Sequence, residues 1–211
     1  MSFKQTIKIT FVGEAGVGKT NIIRVLNDEP FRLDRYSTLN SSFIEKDIII
    51  NNKQYTYALW DTAGQEIYRS ITKSFIQNSK IVFIVFAIND KKSFKEVDYW
   101  INSIKEELKE GHYIMALIGN KLDLFEEQEV SEEDVKKKAD ELKIDFKLTS
   151  AAEDAVGIKQ FFEKLMKDFI KNIGIHKELE KENIINLHEE KNKEENNKKI
   201  FNNGGKKKKC C

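Results

Sequence analysis

Residues Phe3 to Leu26 read FKQTIKITFVGEAGVGKTNIIRVL, and this stretch decides the fold. Phe3–Val12 is strand-like, and Lys19–Leu26 carries apolar residues at helical spacing. Between them, Gly13-Glu14-Ala15-Gly16-Val17-Gly18-Lys19-Thr20 satisfies GxxxxGK[ST] at every position. Glycines let the backbone curl so that successive N–H groups point inward at phosphate oxygens. Lys19 can reach β- and γ-phosphates, and the Thr20 hydroxyl can bind Mg²⁺. The loop opens a helix, whose N-terminus adds partial positive charge. Asn21, the next residue, is counted with these eight as nucleotide-binding. The motif says nucleoside triphosphate; it does not choose between a kinase, an ATPase and a GTPase.

Working outward, strand-like runs recur at Ser42–Ile50, Tyr55–Trp60, Ile81–Ala87, Ile114–Gly119 and Asp145–Leu148. Helical spacing is found in Ile67–Gln77, Ser93–Lys109, Ser131–Leu142 and Gly157–Ile170. Ile81–Ala87 and Ile114–Ile118 are apolar throughout, which suits strands covered on both faces. Only Ser42–Ile50 and Tyr55–Trp60 lack a helix between them, so the connector Asn51-Asn52-Lys53 predicts a hairpin. Alternation of the two element types predicts an α/β fold with a mostly parallel sheet and one antiparallel strand.

The chain has 211 residues, with 36 Lys+Arg against 35 Asp+Glu. A formal charge of +1 lacks the basic excess of a general nucleic-acid binder, so no nucleic-acid partner is expected. No apolar run is long enough to span a membrane, and the start lacks the pattern of a signal peptide. The two cysteines, Cys210 and Cys211, close the chain, which excludes a disulfide scaffold and points to the reducing cytosol. Composition shifts near Asn172. From there on, 10 lysines and 7 glutamates give about +3 and leave about −2 for the body. The expected division is a folded domain at 1–172 and a low-complexity, flexible tail at 173–211.

Two further segments narrow the chemistry. Asp61-Thr62-Ala63-Gly64-Gln65-Glu66 follows Trp60 at a strand end. Asp61 can hold a Mg²⁺-bound water, the Gly64 N–H can approach a γ-phosphate, and Gln65 can orient an attacking water as the catalytic residue. A kinase would need a site for a second substrate, and nothing beyond water is provided for. Asn120-Lys121-Leu122-Asp123 follows the apolar strand ending at Gly119. The Asp123 carboxylate can accept both N1–H and the 2-amino group of guanine, donors that adenine lacks there. Backbone N–H groups of Thr149-Ser150-Ala151 could meet guanine O6.

Carrying GEAGVGKT, WDTAGQE, NKLD and TSA in this order, the chain resembles the Ras superfamily of small GTPases and, within it, the Rab family. Tyr-Arg-Ser-Ile-Thr at Tyr68–Thr72 and Ser37-Thr38 resemble Rab proteins in particular. The resemblance implies a P-loop NTPase small G domain: six strands, one antiparallel, with helices on both faces. It implies that Thr38 binds Mg²⁺ and γ-phosphate and that Phe31 stacks on the guanine. The implied metal ligands are Thr20, Thr38 and Asp61. Departures fall on the outer surface: Leu39–Phe43, Ile67 and Phe75–Ser79 differ from the usual Rab residues, and Ala152 replaces a lysine that often packs along the guanine.

Lys206–Lys209 and the cysteine pair resemble a Rab tail, which implies geranylgeranyl groups on both Cys210 and Cys211. Two lipid chains hold stably where one holds marginally, and four lysines favour an anionic cytoplasmic leaflet. The expected protein is a monomeric switch, lipid-anchored to the cytoplasmic face of an endomembrane or the plasma membrane. It binds and hydrolyses GTP, slowly without help, and recruits effectors in vesicle-mediated transport. The implied partners are effectors, an exchange factor, a GTPase-activating protein, a prenylation escort and a GDP-dissociation inhibitor. The alternative is a nucleotide-locked scaffold of the same fold that hardly cycles.

Overall fold

The computed structural model describes residues 6–33, 42–62, 74–109 and 112–173. The chain divides into two units, Met1–Phe169 and Ile170–Cys211. The second is described only at 170–173, which is helical.

In the first unit, β1 (Thr6–Val12) runs into the glycine loop and α1 (Lys19–Leu26). After β2 (Ser42–Ile50) and β3 (Lys53–Asp61) come β4 (Ile81–Ala87), α2 (Lys91–Lys95) and α3 (Val97–Glu107). Then follow β5 (Ile114–Asn120), a 3₁₀ turn at Leu122–Glu127, α4 (Glu132–Leu142) and β6 (Asp145–Leu148). The last helix, α5, begins at residue 155 and continues through this unit. The sheet order is β2-β3-β1-β4-β5-β6. β2 and β3 pair antiparallel, and the other ladders among the described residues are parallel. The six-stranded sheet with one antiparallel strand is as the sequence predicts.

β4 lies mid-sheet and is buried along its whole length. Successive side chains of a strand face opposite ways, and β4 uses both. Val82, Ile84 and Phe86 join Val97, Trp100, Ile101 and Ile104 of α3 in one cluster. Phe83 turns the other way, with its ring 6.3 Å from those of Phe161 and Phe162 on α5 and 4.8 Å from Phe11 on β1. Helices thus cover both faces, and each buried ring contributes about 2–3 kcal/mol.

Several boundaries differ from the sequence reading, for local reasons. Lys53 belongs to β3, and the hairpin turn is Asn51-Asn52 alone, both at positive φ (51° and 59°). Asparagine tolerates that region, as a two-residue turn requires. The helix expected over Ser93–Lys109 is two helices that meet at Glu96. The first starts early because the Asp90 carboxylate caps it, accepting from the Lys92 and Ser93 N–H groups. Ser131 is the N-cap of α4 rather than its first turn, its hydroxyl accepting from Asp134 N–H at 3.1 Å. α5 starts before Gly157, and helix extends to 173, past Ile170. Of the helix expected at Ile67–Gln77, residues 74–76 are helical and 67–73 lie outside the described residues, as do Phe3–Gln5 of the first strand.

Candidate functional site

The loop between β1 and α1 has little freedom. Gly13 sits at φ 140°, and a Cβ there would lie 2.0 Å from the Val85 carbonyl oxygen of β4. Gly18 precedes α1 at φ 97°, and a Cβ there would lie 2.2 Å from Asn120 Nδ2. At Gly13 the obstacle is main chain; at Gly18 a Cβ would displace the Asn120 carboxamide and strain the backbone. Lys19 bends back into the ring the loop forms, its Nζ donating to the carbonyls of Gly13 and Glu14, each at 2.8 Å.

Lys19 is 6% exposed. Burial pushes its ammonium down to about 8 from an ordinary 10.5, although the Asp61 and Glu14 carboxylates pull the other way. A buried cation without full charge compensation is suited to an anion. The folded value lies below the unfolded one, so the charge costs stability at low pH, and that cost fades as pH rises from about 8 to 10.5. An anion bound against Lys19 would raise this value again, so that above about pH 8 binding would be coupled to uptake of a proton. Affinity for a fluorescent guanine nucleotide, titrated from pH 6 to 10, should therefore be flat below about 8 and fall by up to about tenfold per unit above.

Beside Lys19, Thr20 Oγ1 donates to Asp61 Oδ2 at 2.7 Å. Asp61 is 4% exposed, and its Oδ1 is buried with no hydrogen-bond partner of good geometry. Burial raises the Asp61 pKa, opposed by the Thr20 hydroxyl, Lys19, Arg24 and the Thr62 backbone. Thr62 fixes the strand end, its hydroxyl donating to the Phe11 carbonyl at 2.6 Å. An orphaned carboxylate oxygen and an adjacent hydroxyl are hard oxygen donors, and they fit a Mg²⁺-like cation. Among the described residues no cluster of three His, Cys, Asp or Glu side chains could hold a metal. Such an ion would thus draw on this pair together with ligand oxygens.

On the other side lies the segment after β5. Asn120 is buried and spans two loops: its Nδ2 donates to the Val17 carbonyl at 2.8 Å, and its Oδ1 accepts from Ala151 N–H at 2.9 Å. Lys121 stands at φ 69°, which turns the chain into the 3₁₀ segment carrying Asp123. Ser150 Oγ donates to Asp123 Oδ1 at 2.5 Å and fixes that carboxylate. Thr149 Oγ1 donates to Asp154 Oδ2 at 2.8 Å, and Asp154 Oδ1 accepts from Gly157 N–H at 2.9 Å. Asp154 thereby caps the start of α5 and ties Thr149-Ser150-Ala151 to it. The sequence reading assigned Asp154 nothing; an Asp-x-x-Gly step before an apolar helical stripe was the available signal.

Hydrogen bonds thus join Lys19 to Gly13 and Glu14, Thr20 to Asp61, Asn120 to Val17 and Ala151, and Ser150 to Asp123, while the Thr149 carbonyl accepts from Leu122 N–H and the Lys121 carbonyl from Leu124 N–H. Ala152 is exposed, its N–H donating to Ser150 Oγ at 3.1 Å. Phe31 is 40% exposed on the segment after α1. The Asn21 side chain is turned toward that segment, bonded to the backbone of Arg32. Thr38, Gly64, Gln65, Cys210 and Cys211 lie outside the described residues.

The model of the Ras family matches residues 8–171. The Ras-related protein Rab-11B of Dictyostelium discoideum is 37% identical over 158 residues, 75% of this chain and 71% of that protein. The GTP-binding protein ypt3 of Schizosaccharomyces pombe is 30% identical over 167 residues, 79% of this chain and 77% of that one. The Ras-related protein Rab-44 of Mus musculus is 34% identical over 144 residues, 68% of this chain and 15% of the mouse protein.

Proposed function

The chain belongs to the Ras family and, within it, to the Rab-type small GTPases, and from that premise we propose a guanine-nucleotide switch that hydrolyses GTP and recruits effectors in vesicle traffic. The observation that carries this reading is Asn120. Its one carboxamide bonds to the glycine loop at Val17 and to the Thr149-Ser150-Ala151 loop at Ala151, and this tie between the two motifs supports reading them as one site.

Lys19 and the loop N–H groups hold the β- and γ-phosphates, and the Asp123 carboxylate reads the guanine edge. Phe31 packs its ring against the base. Thr20 and Asp61 hold Mg²⁺, joined by Thr38; the ion, when bound, supplies charge neutralisation on the β- and γ-phosphates. Gln65 orients the water that attacks the γ-phosphorus. Loss of the γ-phosphoryl releases Thr38 and Gly64, and with them the surfaces that effectors read. An exchange factor and a GTPase-activating protein set the two rates of the cycle.

No helix among the described residues is long and apolar enough to cross a membrane. The anchor in this reading is lipid on Cys210 and Cys211, delivered by an escort, extracted by a GDP-dissociation inhibitor and aided by Lys206–Lys209 at an anionic cytoplasmic leaflet.

Competition against a fluorescent guanine nucleotide tests the base assignment. GTP and GDP should displace the label and ATP should not; equal displacement by ATP overturns it. Single-turnover phosphate release tests the chemistry. Gln65→Leu should slow hydrolysis about tenfold or more, and equal rates would remove Gln65 from the reaction.

A further inference from the structure

We propose that Asn21 is a positioning residue for nucleotide retention: its carboxamide clamps the loop that carries Phe31 onto the first turn of α1. The inference rests on the reading of Phe31 as the ring packed against the base. After Leu26 the chain leaves the far end of α1, yet Arg32 is bonded back at Asn21, about 8 Å nearer the phosphate loop at the helical rise per residue. The loop has therefore doubled back along its own helix.

The contact is a matched pair. Asn21 Nδ2 donates to the Arg32 carbonyl at 2.9 Å, and Arg32 N–H donates to Asn21 Oδ1 at 3.1 Å. A carboxamide presents one donor and one acceptor side by side, which is what the two backbone groups of one residue require. Arg24 Nη1 reaches the same Oδ1 at 3.5 Å. Asparagine is a weak helix former, so local helix stability does not account for its place in α1.

The segment needs such a clamp because burial does not supply one: residues 28–33 are all exposed. Its other end is fixed by charge, with Asp28 accepting from Lys46 of β2 at 2.8 Å and from Lys159 of α5 at 2.5 Å. Phe31 lies between these anchors, next to Arg32. With the Arg32 end released, the ring keeps its chemistry and loses its place.

The test is a double-mutant cycle on release of labelled GDP from the full chain, chased with unlabelled GDP, for wild type, Asn21→Ala, Phe31→Ala and the double variant. Asn21→Ala should speed release about fivefold, the effect of losing a two-point neutral pair at a partly exposed site. In the Phe31→Ala background the same change should add less than about twofold, since a clamp that acts through the ring has nothing left to hold. An equal factor in both backgrounds, or no change in wild type, overturns the clamp. Should Asn21→Ala not accumulate as folded protein, Asn21→Ser, whose hydroxyl is too short to reach both backbone groups, takes its place with the same expected factor. A wild-type chain that fails to hold labelled GDP overturns the guanine reading and the clamp together; additive effects in a chain that holds GDP overturn the clamp alone.

Discussion

Lys19→Ala should weaken GDP and GTP binding about a thousandfold. A charge-assisted hydrogen bond is worth about 1.5–3 kcal/mol, and an ammonium shared by two phosphate groups makes at least two. Roughly 4 kcal/mol corresponds to about three decades in affinity. Lys19 is already desolvated and already aimed by its bonds to the Gly13 and Glu14 carbonyls, so little further ordering is needed when a phosphate arrives. Truncation also leaves those two carbonyls without their donor. Lys19→Met, which keeps the stem, therefore accompanies it, and melting of both variants is followed beside calorimetric titration with GDP. A loss below about tenfold in a folded variant would show that the loop amides hold the phosphates without the lysine.

Asp123→Asn should exchange one base for another. The Ser150 hydroxyl donates to Asp123 Oδ1. In the variant the amide oxygen keeps that partner, which turns the amide nitrogen to the pocket. A donor then faces the N1–H and 2-amino donors of guanine, and sites built on paired hydrogen bonds reject such mismatches strongly. GDP affinity should fall about a thousandfold, while xanthosine diphosphate, whose C2 oxygen accepts, should bind better than GDP. Both are read by displacement of a labelled nucleotide. Unchanged preference for GDP would mean that Asp123 does not touch the base.

Much of this site was legible because its chemistry constrains residue type directly. A backbone that crowds the Val85 main chain admits only glycine at 13, one at φ 97° beside the Asn120 carboxamide strongly favours it at 18, and a loop that holds phosphate needs its lysine and hydroxyl in fixed order. The alternating elements were equally plain, since β4 is apolar at every position and α5 carries an apolar stripe. The 3₁₀ segment Leu122–Glu127 was missed because six residues too short for a helical repeat give no periodicity. The break at Glu96 was missed because Ser93–Lys109 keeps a helical spacing across it. Side-chain bridges such as Asn21 to Arg32, or Ser150 to Asp123, depend on which loops meet, and spacing along the chain does not encode that.

The Val85 carbonyl beneath Gly13 has a lasting effect on how this gene can drift. Ala15, two positions on, is exposed and carries a side chain. At position 13 even a methyl group would meet a neighbouring strand's main chain, which no rotamer can swing aside and which cannot retreat without spreading β1 from β4. Descent therefore passes through a single permitted letter there. The narrowness is imposed by the scaffold beneath the loop, and it would persist even if the ligand above it were one day exchanged for another.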